Sequence, residues 1–328
     1  MPPVPHLRRR HLLVLGAAAP AAAFAQGAGS FPNKPIRLVV PFAAGGGTDV
    51  LARLLAKALS SSLGQQVVVE NVTGAGGVVG AQQVARATPD GYTLMIGTPG
   101  SILINPAMQP DLRYNADKDF VPVAQFSDSP IILVVNRDTP FRTVADLVAA
   151  ARDKPGALNF GSAGVGSISH FSTEMFQMLA KVKMTHVPYR GTAPALTDLR
   201  AGTLQVQFEN LPAIIGLIQE QQVRPLAIGS GRRSSLLPDV PTLIEAGVPG
   251  YESSSWTGLF APAGTPADVL TRLERAVAEA VRDPATQKSL KDLGAEPVGN
   301  RSAEFRAFLG QRRPLVEQTV KAAGMTAK

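Results

Sequence analysis

Residues 41–49 read Pro-Phe-Ala-Ala-Gly-Gly-Gly-Thr-Asp, and this stretch is the part of the sequence that most clearly indicates the fold. The apolar run Ile36–Val40 precedes it and predicts a buried strand. After it, apolar residues recur at helical spacing over residues 50–59. We therefore expect a glycine-rich turn that joins a strand to a helix, with Thr48 or Asp49 as the N-cap of that helix.

Such a turn presents backbone N–H groups at the positive end of a helix dipole, where a phosphate, sulfate or carboxylate can bind. A phosphate-binding P-loop needs a Lys-Ser or Lys-Thr pair after its last glycine, whereas Thr48 and Asp49 follow here. A second glycine cluster, residues 74–80, nearly matches the dinucleotide fingerprint, but its third glycine comes one residue late. A nucleotide site is therefore not expected. Both clusters could also be tight turns without a ligand.

The first 25 residues predict export. Three arginines, Arg8 to Arg10, precede an apolar stretch at residues 12–23 that is too short to span a bilayer. The small residues Ala23 and Ala25 flank Phe24, which is the pattern of a signal peptidase site. We expect cleavage after Ala25 and a periplasmic mature protein. The arginine pair loosely resembles a twin-arginine signal, so Sec and Tat export both remain open.

The composition excludes several functions. The net charge of +7 falls to +4 without the three leader arginines, so nucleic-acid binding is not expected. The chain has no cysteine, which excludes thiol catalysis and cysteine-based zinc sites. Only His170 and His186 lie beyond the leader, so neither a metal site nor a cofactor is expected. We expect a monomer.

Strand-like and helix-like segments alternate along the chain, which predicts an α/β fold. We expect two lobes, one formed by residues 26–126 and 253–328 and the other by residues 127–252. Two chain crossings would form a hinge, and the cleft between the lobes would face the carboxyl ends of the strands. The second lobe carries its own small-residue turn at residues 161–167, after a predicted strand. Two such turns facing each other could hold a carboxylate.

The sequence resembles the Bug family of extracytoplasmic solute receptors, also called the TctC type, which serve tripartite tricarboxylate transporters. The matching motifs follow in family order from the leader almost to the C-terminus: KPIRLVVPF at 34–42, GGGTD at 45–49, VVEN at 68–71, GAGG at 74–77, PDGYTL at 89–94, HVPYRG at 186–191, LPDVPT at 237–242 and APAGTP at 261–266.

The resemblance implies a two-lobed Venus-flytrap fold of the type II-like periplasmic binding proteins, with mixed sheets, helices on both faces and a ligand cleft between the lobes. It implies a periplasmic receptor that binds a small organic carboxylate and delivers it to the permease subunits of a transporter. A sensory or adaptor protein that presents the ligand to a membrane sensor remains the alternative. The resemblance also implies that main-chain amides and hydroxyls of residues 42–48 and 162–167 hold one carboxylate.

The ligand-binding residues expected from this resemblance are Phe42, Ala43, Ala44, Gly45, Gly46, Thr48, Thr98, Ser101, Ser162, Ala163, Gly164, Gly166, Ser167, His170, Tyr189, Thr192, Ala193 and Glu209. Some of them have a second interpretation. His170 could cap or pack its helix, and Tyr189 could belong to the core. Glu209 stands where many family members carry aspartate, so its role and the identity of the carboxylate stay open.

Two serines could indicate an enzymatic function. Ser162 and Ser167 are candidate nucleophiles, but neither lies in a Gly-x-Ser-x-Gly sequence. With His170 and His186 as the only histidines beyond the leader, few catalytic triads are possible. We therefore expect a binding protein and no enzyme.

Overall fold

The structure is a computed structural model that describes Met1 and residues 31–326. The expected leader and its cleavage after Ala25 lie outside the described residues. None of the helices in the described part is long and apolar enough to cross a membrane.

The secondary structure alternates as expected and comprises the following elements. The strands are β1 Ile36–Val40, β2 Val67–Asn71, β3 Thr93–Gly97, β4 Phe120–Asn136, β5 Asn159–Ser162, β6 Thr185–Pro188, β7 Val206–Asn210, β8 Val223–Ile228, β9 Ser254–Pro262 and β10 Glu296–Pro297. The helices are α1 Gly47–Leu63, α2 Val78–Ala85, α3 Asn105–Met108, α4 Val144–Asp153, α5 Ile168–Ala180, α6 Thr192–Ala201, α7 Leu211–Gln219, α8 Ala267–Arg282, α9 Pro284–Asp292 and α10 Ser302–Ala322. A 3-10 turn, Ala75–Gly77, precedes α2, and a π-helical turn, Gly100–Ile104, precedes α3.

The strands form a mixed sheet in the order β2-β1-β3-β9-β4-β7-β5-β6, with β8 and β10 also pairing with β4. Strands β1, β2 and β3 pair in parallel, as do β5, β6 and β7. All pairs that involve β4 or β9 are antiparallel. The predicted α/β class with mixed sheets is therefore confirmed. Because β1 and β5 sit in parallel pairs, the turns that follow them lie at carboxyl ends of the sheet.

Strand β4 runs through both halves of the molecule. It pairs with β9 as far as Pro130, which lies opposite Ser254, and from Ile131 it pairs with β7 and β8. The change of pairing partner thus falls between Pro130 and Ile131, whereas the sequence placed the crossing at residues 126–127. The expected division into residues 26–126 with 253–328 and residues 127–252 stays a prediction.

Each half has helices on both faces of its strands. Leu38 of β1 packs with Leu55 of α1 and Leu273 of α8, while the neighbouring Val39 packs with Val84 of α2 and Phe305 of α10. In the other half, successive β4 residues likewise alternate between a cluster with α4 and α5 and a cluster with α6 and α7. Burying one large apolar side chain contributes roughly 1.5–3 kcal/mol, so packing on both faces holds the strand ends in place.

Helix α1 begins earlier than the sequence suggested, so the N-cap prediction was wrong. The N-cap is Gly46, and Thr48 and Asp49 lie inside the first turn. The Asp49 carboxylate folds back and accepts a hydrogen bond from the Gly45 N–H at 3.0 Å. An acidic group in the first turn is also favoured by the helix dipole. Asp49 therefore stabilises the turn from inside the helix, and Gly46 occupies the N-cap position.

Candidate functional site

Four loops from the two halves of the molecule meet at one cavity of about 360 Å³. Two of them follow β1 and β2, and two follow β5 and β6. The described residues that line the cavity are Pro41, Phe42, Ala43, Thr73, Gly74, Ala75, Gly76, Gly77, Ala163, Gly164, Val165, Pro188, Tyr189, Arg190 and Gly191. The cavity thus lies where the carboxyl ends of the parallel strands face each other.

The turn after β1 is held rigid by Asn71, which closes β2. The Asn71 Nδ2 donates to the Phe42 carbonyl at 3.0 Å and to Asp49 Oδ1 at 2.9 Å. Burial alone would raise the pKa of Asp49, but hydrogen bonds from Arg53, Gly45 and Asn71 lower it below its ordinary value. Asp49 is therefore ionised at neutral pH. The N–H groups of the first turn of α1, which no helical carbonyl can reach, remain available as donors.

The start of α6 faces the start of α1. A Cβ added to Gly46 would lie 3.4 Å from the Thr192 hydroxyl oxygen, and one added to Gly45 would lie 4.0 Å from the Ala193 Cβ. The N-cap of α6 is Gly191, with a φ of 131° and no capping side chain. A Cβ on Gly191 would lie only 2.6 Å from the Ala43 Cβ. Glycine is therefore required at this approach, and the two helix N-termini lie close together.

The turn after β5 uses most of its own donors. The N–H groups of Ala163, Gly164 and Gly166 donate to Ser169 Oγ at 3.0 Å, to Ser162 Oγ at 3.2 Å and to His170 Nδ1 at 3.3 Å. The Ser167 N–H donates to the Gly164 carbonyl at 3.1 Å. Within the described part, Val165 is the one residue among 163–167 whose N–H has no partner. This turn is thus a fixed wall with a single free main-chain donor.

Two stacked histidines support that wall. The rings of His170 and His186 lie 4.1 Å apart, and His186 stacks on Phe160 at 4.8 Å. Burial lowers the pKa of His186 to about 4. Burial and the neighbouring His186 lower the pKa of His170 to about 3. Both rings are therefore neutral at pH 7, and because His170 Nδ1 accepts from Gly166, its proton resides on Nε2.

The glycine cluster after β2 belongs to the cavity, although it was not among the expected site residues. Gly74, Gly76 and Gly77 all have positive φ, and a Cβ on Gly76 would lie 2.0 Å from the Val165 carbonyl oxygen. The Asn105 Nδ2 lies 3.0 Å from the Gly76 carbonyl and 3.4 Å from the Gly166 carbonyl, so it bridges the two turns. The tight run of glycines after a strand was the available sequence signal, but from the sequence it was interpreted as a nucleotide motif or a tight turn without a ligand.

The expected site residues fall into three groups. Five of them line the cavity: Phe42, Ala43, Ala163, Gly164 and Tyr189. Four more stand at the facing helix starts: Gly45, Gly46, Thr192 and Ala193. The remaining nine do not line the cavity: Ala44 is exposed, and the others are buried, namely Thr48, Thr98, Ser101, Ser162, Gly166, Ser167, His170 and Glu209.

Glu209 is the second-last residue of β7 and is 1% exposed. Its carboxylate accepts from the Asn210 N–H at 3.0 Å and from Gln207 Nε2 at 3.2 Å. Burial raises the pKa of Glu209 to about 7, against the opposing effect of hydrogen bonds from Asn210, Thr192 and Gln207. The sequence identified this position but not its burial.

A second cavity, of about 500 Å³, lies between α5 and α10. Most of its lining is apolar, from residues such as Phe171, Met175 and Val316. It has no glycine-rich turn, so its larger volume does not make it the better carboxylate site. Among the described residues, no group of three or more histidine, aspartate or glutamate side chains is placed to hold a metal ion.

Comparison with known proteins identifies the family and agrees with the fold. Residues 51–324 match the family described as the tripartite tricarboxylate transporter family receptor. Protein BugT of Bordetella pertussis is 37% identical over 295 residues, which cover 90% of this chain and 89% of BugT. The structure of R. palustris Rpa4515 with adipate is 39% identical, with a TM-score of 0.88 over 90% of this chain and 99% of that chain. MatC from Rhodopseudomonas palustris with bound malate is 36% identical, with a TM-score of 0.85 over 88% of this chain and 100% of that chain.

Proposed function

Because the chain belongs to the tripartite tricarboxylate transporter family of receptors, we propose that it is a periplasmic solute receptor for a small organic carboxylate. In this proposal it delivers that carboxylate to the membrane subunits of a tripartite tricarboxylate-type transporter. The predicted family and the predicted two-lobed periplasmic-binding-protein fold are both confirmed by the family match and the structural relatives. Export through the leader at residues 1–25, with cleavage after Ala25, belongs to the same proposal.

The observation that carries the proposal is the close approach of two helix N-termini, those of α1 and α6, beside the cavity. Each offers main-chain N–H groups that have no helical acceptor, and each favours a negative charge nearby. A hydrogen bond to a charged group contributes about 1.5–3 kcal/mol, so two or three such donors contribute about 3–9 kcal/mol, against the roughly 8 kcal/mol that micromolar affinity requires. The Val165 N–H adds one donor from the opposite wall.

The charge of the cavity wall supports the same ligand class. Arg190 is the only charged side chain among the described residues that line the cavity. The Arg190 side chain is exposed to solvent, so we assign the carboxylate to dipoles and N–H groups rather than to an ion pair with Arg190. We propose that Ser162, Ser167 and His170 fix the conformation of the turn after β5, because their polar atoms already form hydrogen bonds within that turn. The solved relatives with adipate and malate support a linear dicarboxylate.

A thermal-shift panel of organic acids followed by calorimetry tests the proposal. A ligand at about 100 times its dissociation constant stabilises the folded protein by roughly 2.7 kcal/mol, which raises the melting temperature visibly. We expect adipate, malate or a related dicarboxylate to do so. A panel in which no carboxylate stabilises the protein would contradict the proposal.

Two variants locate the site. Gly191→Val places a side chain against Ala43, so it should abolish binding. Gly231→Val is the matched control, because a Cβ on Gly231 would meet nothing within 4 Å. Circular dichroism checks that both variants fold. Uptake of the bound acid by native cells, with and without the gene, tests delivery, and unchanged uptake would favour the sensory alternative.

A further inference from the structure

Glu209 is a buried carboxyl group without a cationic partner. Its hydrogen-bond donors are the neutral groups of Asn210 and Gln207, and no Lys, Arg or His of the described residues contributes to its pKa. An ionised carboxylate that is buried without a counter-ion is costly, and such a group commonly binds a proton instead. The carboxyl group is thus poised between its two protonation states near neutral pH.

The elements packed against β7 carry few charges, and those charges have other partners. Neither α7 nor β5 has a titratable residue, and residues 131–136 of β4 have none. The titratable groups on the remaining neighbours, and at the facing start of α1, are His170, Glu174, Asp198, Arg200, Asp49 and Arg53. Asp49 pairs with Arg53, Asp198 accepts from the Tyr189 hydroxyl, and Glu174 lies 3.7 Å from His170. None of them neutralises Glu209.

Glu209 is connected to the cleft by two short contacts. Thr192, whose hydroxyl group lowers the pKa of Glu209, stands at the first position of α6 and faces Gly46. Asn210, the next residue along β7, packs so closely on Gly47 that a Cβ there would lie 1.9 Å from its Oδ1. The Glu209 carboxyl group is therefore hydrogen-bonded to a residue, Asn210, that packs directly on the first turn of α1. A carboxylate bound at those N-termini would repel an ionised Glu209 in an environment with little screening.

We propose that Glu209 binds a proton when a carboxylate enters the cleft, so that the receptor captures the anion and the proton together. This inference rests on the proposed function. In this inference Glu209 determines which ligand charge the receptor prefers. A ligand carboxylate near Glu209 binds together with a proton on Glu209, whereas a ligand ammonium group would bind while Glu209 is ionised. No bond to the ligand is required, because the repulsion between two negative charges acts through space.

Calorimetry of adipate and malate binding in buffers of different ionisation enthalpy measures the proton directly. Both acids are fully ionised above pH 7, since carboxyl groups ordinarily titrate near about 4. With a pKa near 7, the wild type should take up about half a proton per ligand at pH 7 and close to one at pH 8. The affinity should fall by up to about tenfold per pH unit above pH 8.

Glu209→Gln mimics the protonated group, so it should take up no proton and should bind with an affinity that does not change with pH. Glu174→Gln is the matched control, because burial also raises the pKa of Glu174 to about 7. It should keep the proton uptake. If uptake disappears in Glu174→Gln and persists in Glu209→Gln, the inference is wrong.

A second measurement uses the wild type alone, in case Glu209→Gln fails to fold. Infrared difference spectra at pH 8 should gain the C=O band of a buried protonated carboxyl group when adipate is added. Tight binding without that band and without proton uptake overturns this inference and leaves the proposed function intact. If no acid binds, the proposed function fails, and this inference fails with it.

Discussion

The Ser162 hydroxyl oxygen lies 2.6 Å from His186 Nε2. In another setting this pair would suggest a nucleophile and its base. Here Ser162 is fully buried and also accepts the Gly164 N–H, and burial keeps the His186 pKa at about 4. The pair therefore fixes the turn after β5, so the serine serves the shape of the site.

Replacing Ser162 with alanine removes the acceptor of the Gly164 N–H and the partner of His186. We expect this variant to lose about 1–3 kcal/mol of binding free energy for the carboxylate. The reason is that the Gly164 N–H becomes a buried donor without a partner and the turn after β5 is no longer held in one conformation. Titration calorimetry measures the loss.

Arg190→Ala is the comparison, since Arg190 lines the cavity but is assigned no contact with the carboxylate. It should cost much less than Ser162→Ala. If Arg190→Ala abolishes binding and Ser162→Ala does not, the carboxylate is held by an ion pair and the assignment to main-chain donors is wrong.

The local patterns of the sequence predicted the strands and the general class of the fold. Ile36–Val40 is the clearest case, because an apolar run bounded by a glycine-rich turn has few other structures available. The N-cap of α1 was missed, because Asp49 stabilises the turn through a contact with Gly45 that only the folded turn creates. The cluster at Ala75–Gly77 was also missed as part of the cavity, since its contact with Val165 joins residues far apart in the chain. Likewise, the burial of Glu209 depends on packing between β7 and its neighbours.

The two neutral histidines make stability depend on pH. In the unfolded chain a histidine titrates near about 6.5, whereas burial lowers the pKa of His170 to about 3 in the folded protein. Below pH 6.5 the unfolded state therefore binds more protons, and the free energy of unfolding decreases as the pH falls toward the folded pKa. For one such histidine the decrease reaches about 1.4 kcal/mol per pH unit at most.

His170→Asn removes this titration. The difference in unfolding free energy between wild type and variant should shrink by about 1 kcal/mol between pH 7.5 and pH 5.5. Urea unfolding at the two pH values measures it. A difference that stays constant would show that His170 titrates normally, and the turn would then lack a buried neutral ring.

Glu174 should act with the opposite sign. Burial raises its pKa to about 7, so the folded state retains a proton that the unfolded state releases above about 4.5. Stability from this group is present at low pH and is lost as the pH rises through 7. Glu174→Gln should therefore gain stability relative to wild type between pH 6 and pH 8.5, as followed by urea unfolding. A variant that loses relative stability over that range would contradict the burial of Glu174.

The approach of Gly76 to Val165 predicts how the two lobes close. A Cβ on Gly76 would lie 2.0 Å from the Val165 carbonyl oxygen, and its φ of 59° disfavours other residues. Gly76→Ala should therefore hold the turn after β2 away from the turn after β5. Small-angle scattering with a ligand that closes the wild type should give a larger radius of gyration for this variant, with weaker binding by calorimetry.

Gly64→Ala is the control, because Gly64 also has a positive φ but a Cβ at Gly64 would meet nothing within 4 Å. If Gly76→Ala closes on the ligand as the wild type does, the contact is not part of the closed cleft, and the lobes must meet elsewhere.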